Sequence, residues 1–214
     1  VTTTQGCTLT SAIATVVVNP ALAATITPST PQTVCEGDTV ALNVTVANGQ
    51  GTATYQWYQN TTGVIPADSA ADIITGEVSA TDADYTFTAA TTAQSTTTYY
   101  YAIVTYSSGS CQTVTSDLTA VVVNQTPAIE NDAISVYTGD TFTYTPSSTG
   151  NTIPAGTLYT WSVNNPGNIT GASATTTPQS EIIQTLTNTG TTDITINYTV
   201  TPIFNGCEGA PFQV

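Results

Sequence analysis

Val40, Leu42, Val44 and Val46 alternate with polar or small residues, and Ile194, Ile196, Tyr198 and Val200 repeat the pattern. A period of two turns every second side chain to one face, so these segments predict half-buried antiparallel strands. Turn signals bound them: Asn48-Gly49-Gln50-Gly51, Ser108-Gly109, Pro166-Gly167 and Asn205-Gly206. The same reading places strands near 24–28, 39–47, 53–59, 84–89, 98–106 and 112–123. A second set falls near 133–137, 141–145, 157–163, 181–187 and 193–203. Close to a quarter of the chain is Thr, and Val is common. Both are β-branched and stiff at χ1, which favours strands. Lys, Arg and Met, all good helix formers, are absent. The expected fold class is all-β, and a 40% apolar content is enough to build a core.

The pattern repeats on a larger scale. Gly37-Asp38-Thr39 returns as Gly139-Asp140-Thr141, and Tyr55-Gln56-Trp57 returns as Tyr159-Thr160-Trp161. Thr8 to Asn19 (TLTSAIATVVVN) aligns without a gap on Thr113 to Asn124 (TVTSDLTAVVVN). These markers agree on a unit of about 100 residues, the size of an immunoglobulin-like sandwich. The phase of the repeat divides the chain three ways. Residues 1–19 are the C-terminal hairpin of a preceding unit, 20–124 a complete sandwich, and 125–214 a further sandwich truncated near its last strand. The joints, Asn19-Pro20-Ala21 and Asn124-Gln125-Thr126-Pro127, are short and hold Pro. Such joints restrict bending, so a rod-like array is expected.

Charge then narrows the function. Among 214 residues there is no Lys, Arg or His, against 14 acids, a formal charge of −14. That leaves no imidazole base, no Schiff-base lysine and no arginine clamp for phosphate. There is no basic patch for nucleic acid. No run of about 20 apolar residues exists to enter a membrane. The chain reads as non-catalytic and without a cofactor, a segment that stands and holds.

Four cysteines remain: Cys7, Cys35, Cys111 and Cys207. None has a zinc-ligand spacing, and wide spacing in a Thr-rich β chain points to disulfides in an oxidising compartment. Cys35, Trp57 and Cys111 follow the Cys…Trp…Cys order of immunoglobulin domains, so a Cys35–Cys111 bridge is expected, pinning one end of the middle unit. Cys7 would pair outside the chain. Tyr137 stands where the third unit should have its own Cys35, which leaves Cys207 free or differently paired. Trp57 and Trp161 sit mid-strand and read as core aromatics, with sugar stacking the sharper alternative. Asp82 and Asp84 are the candidate calcium ligands; the plainer reading is a pair of solvated surface acids.

Val34-Cys35-Glu36-Gly37-Asp38 and Tyr55-Gln56-Trp57-Tyr58 resemble bacterial Ig-like repeats. Leu158-Tyr159-Thr160-Trp161-Ser162-Val163, Gln184-Thr185-Leu186-Thr187-Asn188 and Gly206-Cys207-Glu208-Gly209 resemble PKD-like repeats. Repeats of both kinds occur in giant surface adhesins of gliding Gram-negative bacteria with a type IX secretion system. The resemblance implies tandem immunoglobulin-like and PKD-like sandwiches in a secreted filament at the cell surface. Its partners would be further repeats of the same polypeptide, and surface polysaccharide or the outer-membrane secretion and motility apparatus. It also implies O-glycans on Ser or Thr in an Asp-Ser/Thr-aliphatic context, which Thr39 and Ser69 fit; Ser69 is preferred because its loop is read as exposed. The function so implied is a stalk segment for gliding or surface attachment. Alternatives are a structural subunit of a filament or surface layer, a glycan-binding module, or an ancillary module of a secreted hydrolase.

Overall fold

The computed structural model describes residues 4–5, 10, 12–90, 94–109 and 112–214. Two separate hydrophobic cores form, one from Ala24 to Val123 and one from Phe142 to Phe212.

The first core lies between two sheets. Its strands are β1 (Ala23–Thr27), β2 (Gln32–Cys35), β3 (Thr39–Ala47), β4 (Gln50–Asn60), β5 (Asp84–Thr88), β6 (Thr96–Ser108), β7 (Thr113–Thr115) and β8 (Thr119–Asn124), with one 3₁₀ turn at Val78–Thr81. One sheet runs β1-β3-β5; the other runs β2-β8-β6-β4, with β7 also on β6. The alternation in β3 has its expected effect: Val40, Leu42 and Val44 are buried, while Ala41 between them is exposed and Asn43 half-buried. They meet Trp57, Ala102, Val104 and Val121 from the other sheet. All pairs are antiparallel except β2 with β8, which lie parallel from Gln32↔Val121 to Cys35↔Asn124. This is an immunoglobulin-type β-sandwich.

The second core is built by β9 (Thr141–Tyr144), β10 (Leu158–Asn164), β11 (Ile169–Thr170), β12 (Thr175–Gln179), β13 (Ile182–Thr185), β14 (Thr187–Asn188), β15 (Asn197–Phe204), β16 (Cys207–Glu208) and β17 (Phe212–Gln213). The main sheet runs β12-β10-β15-β16, with β17 on β15; β9 pairs β13 and β11 pairs β14. Gly-Asp-Thr recurs because it makes the same corner twice. Gly37 and Gly139 take φ of 88° and 86°, where a side chain is strained. Their N–H groups donate to Ala89 O (2.9 Å) and Leu186 O (2.8 Å), locking each corner to the opposite strand.

Several strand expectations are altered. The stretch 112–123 splits into β7 and β8 because Ser116 is buried between them. Its hydroxyl accepts from Ala102 N and donates to Asp117 O, taking the chain off the ladder. Residues 133–137 form no strand, and the segment expected from 193 pairs only from Asn197. Residues 12–19 are exposed and form no strand either.

Candidate functional site

The chain passes between the cores in three residues. β8 ends at Asn124, which is buried beside Cys35, and Glu36 N donates to Asn124 O at 3.0 Å. Gln125 and Thr126 are half-buried and Pro127 is fully buried. Ala128 is already tied into the second sandwich by paired backbone hydrogen bonds with Thr152 (2.9 and 2.8 Å). Gly209 packs on this joint so closely that a Cβ there would collide with the Pro127 carbonyl oxygen. Gly209 N also donates to Pro202 O at 2.9 Å, which holds the β15–β16 hairpin over the linker.

A disulfide closes the joint. Cys35, at the end of β2, is bonded to Cys207, in the hairpin of the following sandwich, with Cα atoms 5.5 Å apart. The expected Cys35–Cys111 pairing is therefore corrected, and of the two expectations for Cys207, free or differently paired, the second holds. Cys35 can form one disulfide, and the hairpin that reaches it belongs to the next unit along the chain. Cys7 and Cys111 lie outside the described residues. The Cys35 backbone is itself fixed: its N–H donates to Asp38 Oδ2 (2.8 Å) and its carbonyl accepts from Asp38 N (3.1 Å). At the matching position of the second sandwich Tyr137 is 84% exposed.

The other candidate residues are dispersed. Trp57 is fully buried, stacks on Tyr85 with ring centroids 5.6 Å apart and donates its Nε1–H to Asp82 O at 2.9 Å. Trp161 is 8% exposed and donates to Ser173 O at 2.8 Å. Each thus ties a loop across its core, and neither offers a ring face to a sugar. A cavity of about 480 Å³ beside Tyr85, Phe87 and Tyr100 is the candidate place for a glycan. Its rings pack on one another, with Phe87 5.0 Å from Tyr85 and 4.9 Å from Tyr100.

Acids without cations take N–H and O–H donors instead. Asp84 Oδ1 accepts from Asn43 Nδ2 at 2.6 Å. Asp72 Oδ2 accepts from Asn60 Nδ2 (3.0 Å) and from the Tyr101 hydroxyl (3.1 Å). Burial and then the Asp72 carboxylate push the Tyr101 phenol up to about 12. Among the described residues no three of His, Cys, Asp and Glu gather to hold a metal ion. Thr39 is exposed at the start of β3, whereas Ser69 is half-buried with its hydroxyl against Tyr101. Exposure therefore favours Thr39 over Ser69 as the accessible hydroxyl, the reverse of the sequence reading. Among the described residues no helix is long and apolar enough to cross a membrane.

Two consecutive immunoglobulin-class sandwiches joined by an inter-unit disulfide are what the fold and the joint define. Among protein families, residues 134–214 match the PKD-like domain. Residues 24–125 match a domain of unknown function (DUF8696). No curated protein matches the chain. Among solved structures, a marsupial T cell receptor is 14% identical with a TM-score of 0.34, over 91% of this chain and 98% of that one. Sidekick-1 immunoglobulin domains 1–5 are 11% identical with a TM-score of 0.41, over 90% of this chain and 39% of that one.

Proposed function

We propose that this chain is a non-catalytic, load-bearing spacer in an extracellular repeat protein, a segment of the stalk of a cell-surface adhesin. The Cys35–Cys207 disulfide carries this reading. Tension entering from the N-terminal side reaches Cys35 and crosses the sulfur–sulfur bond to Cys207. Residues 36–206, which hold nearly all of both cores, are bypassed by a covalent strap. The three-residue joint, buried at Pro127 and capped by Gly209, limits bending between the units. A disulfide persists in an oxidising compartment, which fits a secreted protein. The PKD-like match fits an extracellular repeat module. A chain without cations, whose surface is largely hydroxyls and amides, suits a spacer that should not stick to its neighbours.

The gliding adhesin of a Gram-negative bacterium exported by a type IX system remains the particular form we favour. Its test is cellular. Antibodies raised against residues 20–214 should label intact cells of the source organism, and deleting the gene should impair attachment or gliding. Labelling that requires permeabilised cells would contradict a surface location. Normal attachment and gliding in the deletion strain would contradict the adhesin role.

A further inference from the structure

We propose that Asn205 is a site of spontaneous deamidation, and that its isoaspartate product loosens the joint between the two sandwiches. The chain holds two Asn-Gly steps, Asn48-Gly49 and Asn205-Gly206. Asparagine is among the thermolabile side chains. In an Asn-Gly step the glycine backbone nitrogen attacks the asparagine Cγ. The N–Cγ bond forms and the Cγ–Nδ2 bond breaks, and the glycine amide proton leaves with Nδ2 as ammonia. Water, the one co-reactant, then opens the cyclic imide at either carbonyl, giving aspartate or isoaspartate. Glycine favours the ring because it has no Cβ to crowd the attacking nitrogen.

The structure separates the two steps. Asn48 donates from Nδ2 to Ala21 O at 2.8 Å, which ties the leaving group to the chain entering β1. Gly49 is half-buried, and the Tyr106 ring lies where a Cβ on Gly49 would go. Cyclisation there must break that hydrogen bond and lift the turn off the ring. Asn205 and Gly206 are both exposed, and a Cβ on Gly206 would meet open space. Among the described residues no hydrogen bond holds the Asn205 side-chain amide or uses the Gly206 N–H. The two residues are the whole loop of the β15–β16 hairpin, with φ of 48° and 87°. Asn205 must rotate out of this turn for its side chain to meet the Gly206 nitrogen. Only Ile203↔Glu208 and Phe204↔Cys207 pair across the hairpin, so little ladder opposes that opening.

The place of the reaction gives it a consequence. Isoaspartate routes the main chain through the side-chain carbon and adds a methylene to a two-residue loop, whose length sets the turn type and the register behind it. Cys207 follows the loop directly, and Gly209, two residues further on, packs against the Pro127 carbonyl. Widening the turn shifts that contact, while the disulfide keeps the units linked. Each event also puts a new carboxylate near Glu208, in a chain with no Lys, Arg or His to offset it.

The test ages the oxidised 214-residue chain in warm, mildly alkaline buffer and follows acidification at each site by chymotryptic mapping, with the same chain in urea as reference. In urea the two Asn-Gly steps should convert at similar rates. In the folded chain Asn205 should convert roughly tenfold faster than Asn48, which must first lose a hydrogen bond and uncover its turn. N205G suits the positive φ and has no amide, so the aged variant should lose most of the isoaspartate that isoaspartyl methyltransferase labels. Anion exchange separates the acidified chains. In the W57F background, Trp161 fluorescence should show their PKD-like unit melting below that of fresh protein. Equal folded-state rates at the two sites, an Asn205 that stays intact while the chain in urea converts, or isoaspartate undiminished in N205G overturns the assignment. A melting temperature unchanged by the modification overturns the loosening of the joint.

Discussion

Replacing Cys35 and Cys207 together by Ser removes the strap without leaving either of its own two thiols unpaired, and its effect can be sized from the topology. When the PKD-like sandwich unfolds while the first stays folded, the bridge closes a loop from the joint to Cys207. Because Cys35 sits in register with Asn124, that loop is about 80 residues long. The chain-entropy model makes it worth about 4–5 kcal/mol. When the first sandwich unfolds alone, the loop runs from Cys35 to the same joint and is about 90 residues long, with nearly the same value. The double variant should therefore lower both unfolding transitions, each by up to roughly 20–35 °C. A bridge within one unit would lower only one. Each sandwich holds one buried tryptophan, Trp57 or Trp161, so W161F and W57F backgrounds report the two units separately by fluorescence. A fall in only one transition, or a change under about 1 kcal/mol in both, would refute the inter-unit staple as a stabilising element.

Further outcomes follow from the joint, the tyrosines and the charge. G209V forces a side chain against the Pro127 carbonyl, and should destabilise the PKD-like sandwich by about 1–3 kcal/mol in a denaturant titration; an unchanged midpoint would mean the joint yields. Burial is the leading cause holding Tyr85, Tyr101, Tyr144 and Tyr198 up to about 12, from an ordinary 10.0. The folded values are raised, so the unfolded chain loses these protons first. Their stabilising contribution is fully present below about pH 10 and is lost as the pH rises toward about 12. Melting temperature should fall with phenolate absorbance in that window, and tyrosines that ionise near pH 10 in the folded protein would contradict the burial. A charge of −14 with no Lys, Arg or His to offset it is self-repelling. Melting temperature should rise with added NaCl from low salt, as the Debye length shrinks; a fall would contradict net repulsion.

What the sequence showed and what it hid have a common cause. Alternation reports which face of a strand is buried, so β3 was legible to the residue from Thr39 to Ala47. It does not report whether a partner strand is present. Residues 133–137 and 193–196 have strand-like patterns yet stay irregular, because no strand among the described residues pairs with them. The short strands β11, β14, β16 and β17 have two residues each and no period to detect. The cysteine pairing was obscured differently. Cys…Trp…Cys order describes a bridge within one sandwich, whereas a hairpin reaching the preceding sandwich depends on how two units dock. One signal did point to it. Tyr137 leaves Cys207 without a partner in its own unit, and the nearest equivalent of that partner upstream is Cys35.

Single-molecule pulling on the two ends of the chain tests the strap most directly. With the bridge intact, only residues 1–35 and 207–214 can extend, about 150 Å of contour at roughly 3.5 Å per residue. The 171 residues between the cysteines stay hidden, about 600 Å. The oxidised chain should show no unfolding event that releases a whole sandwich. Adding a reductant should expose two such events, summing to about that hidden length. Release of a full sandwich from the oxidised chain would show that force runs through the cores, and would contradict the covalent bypass.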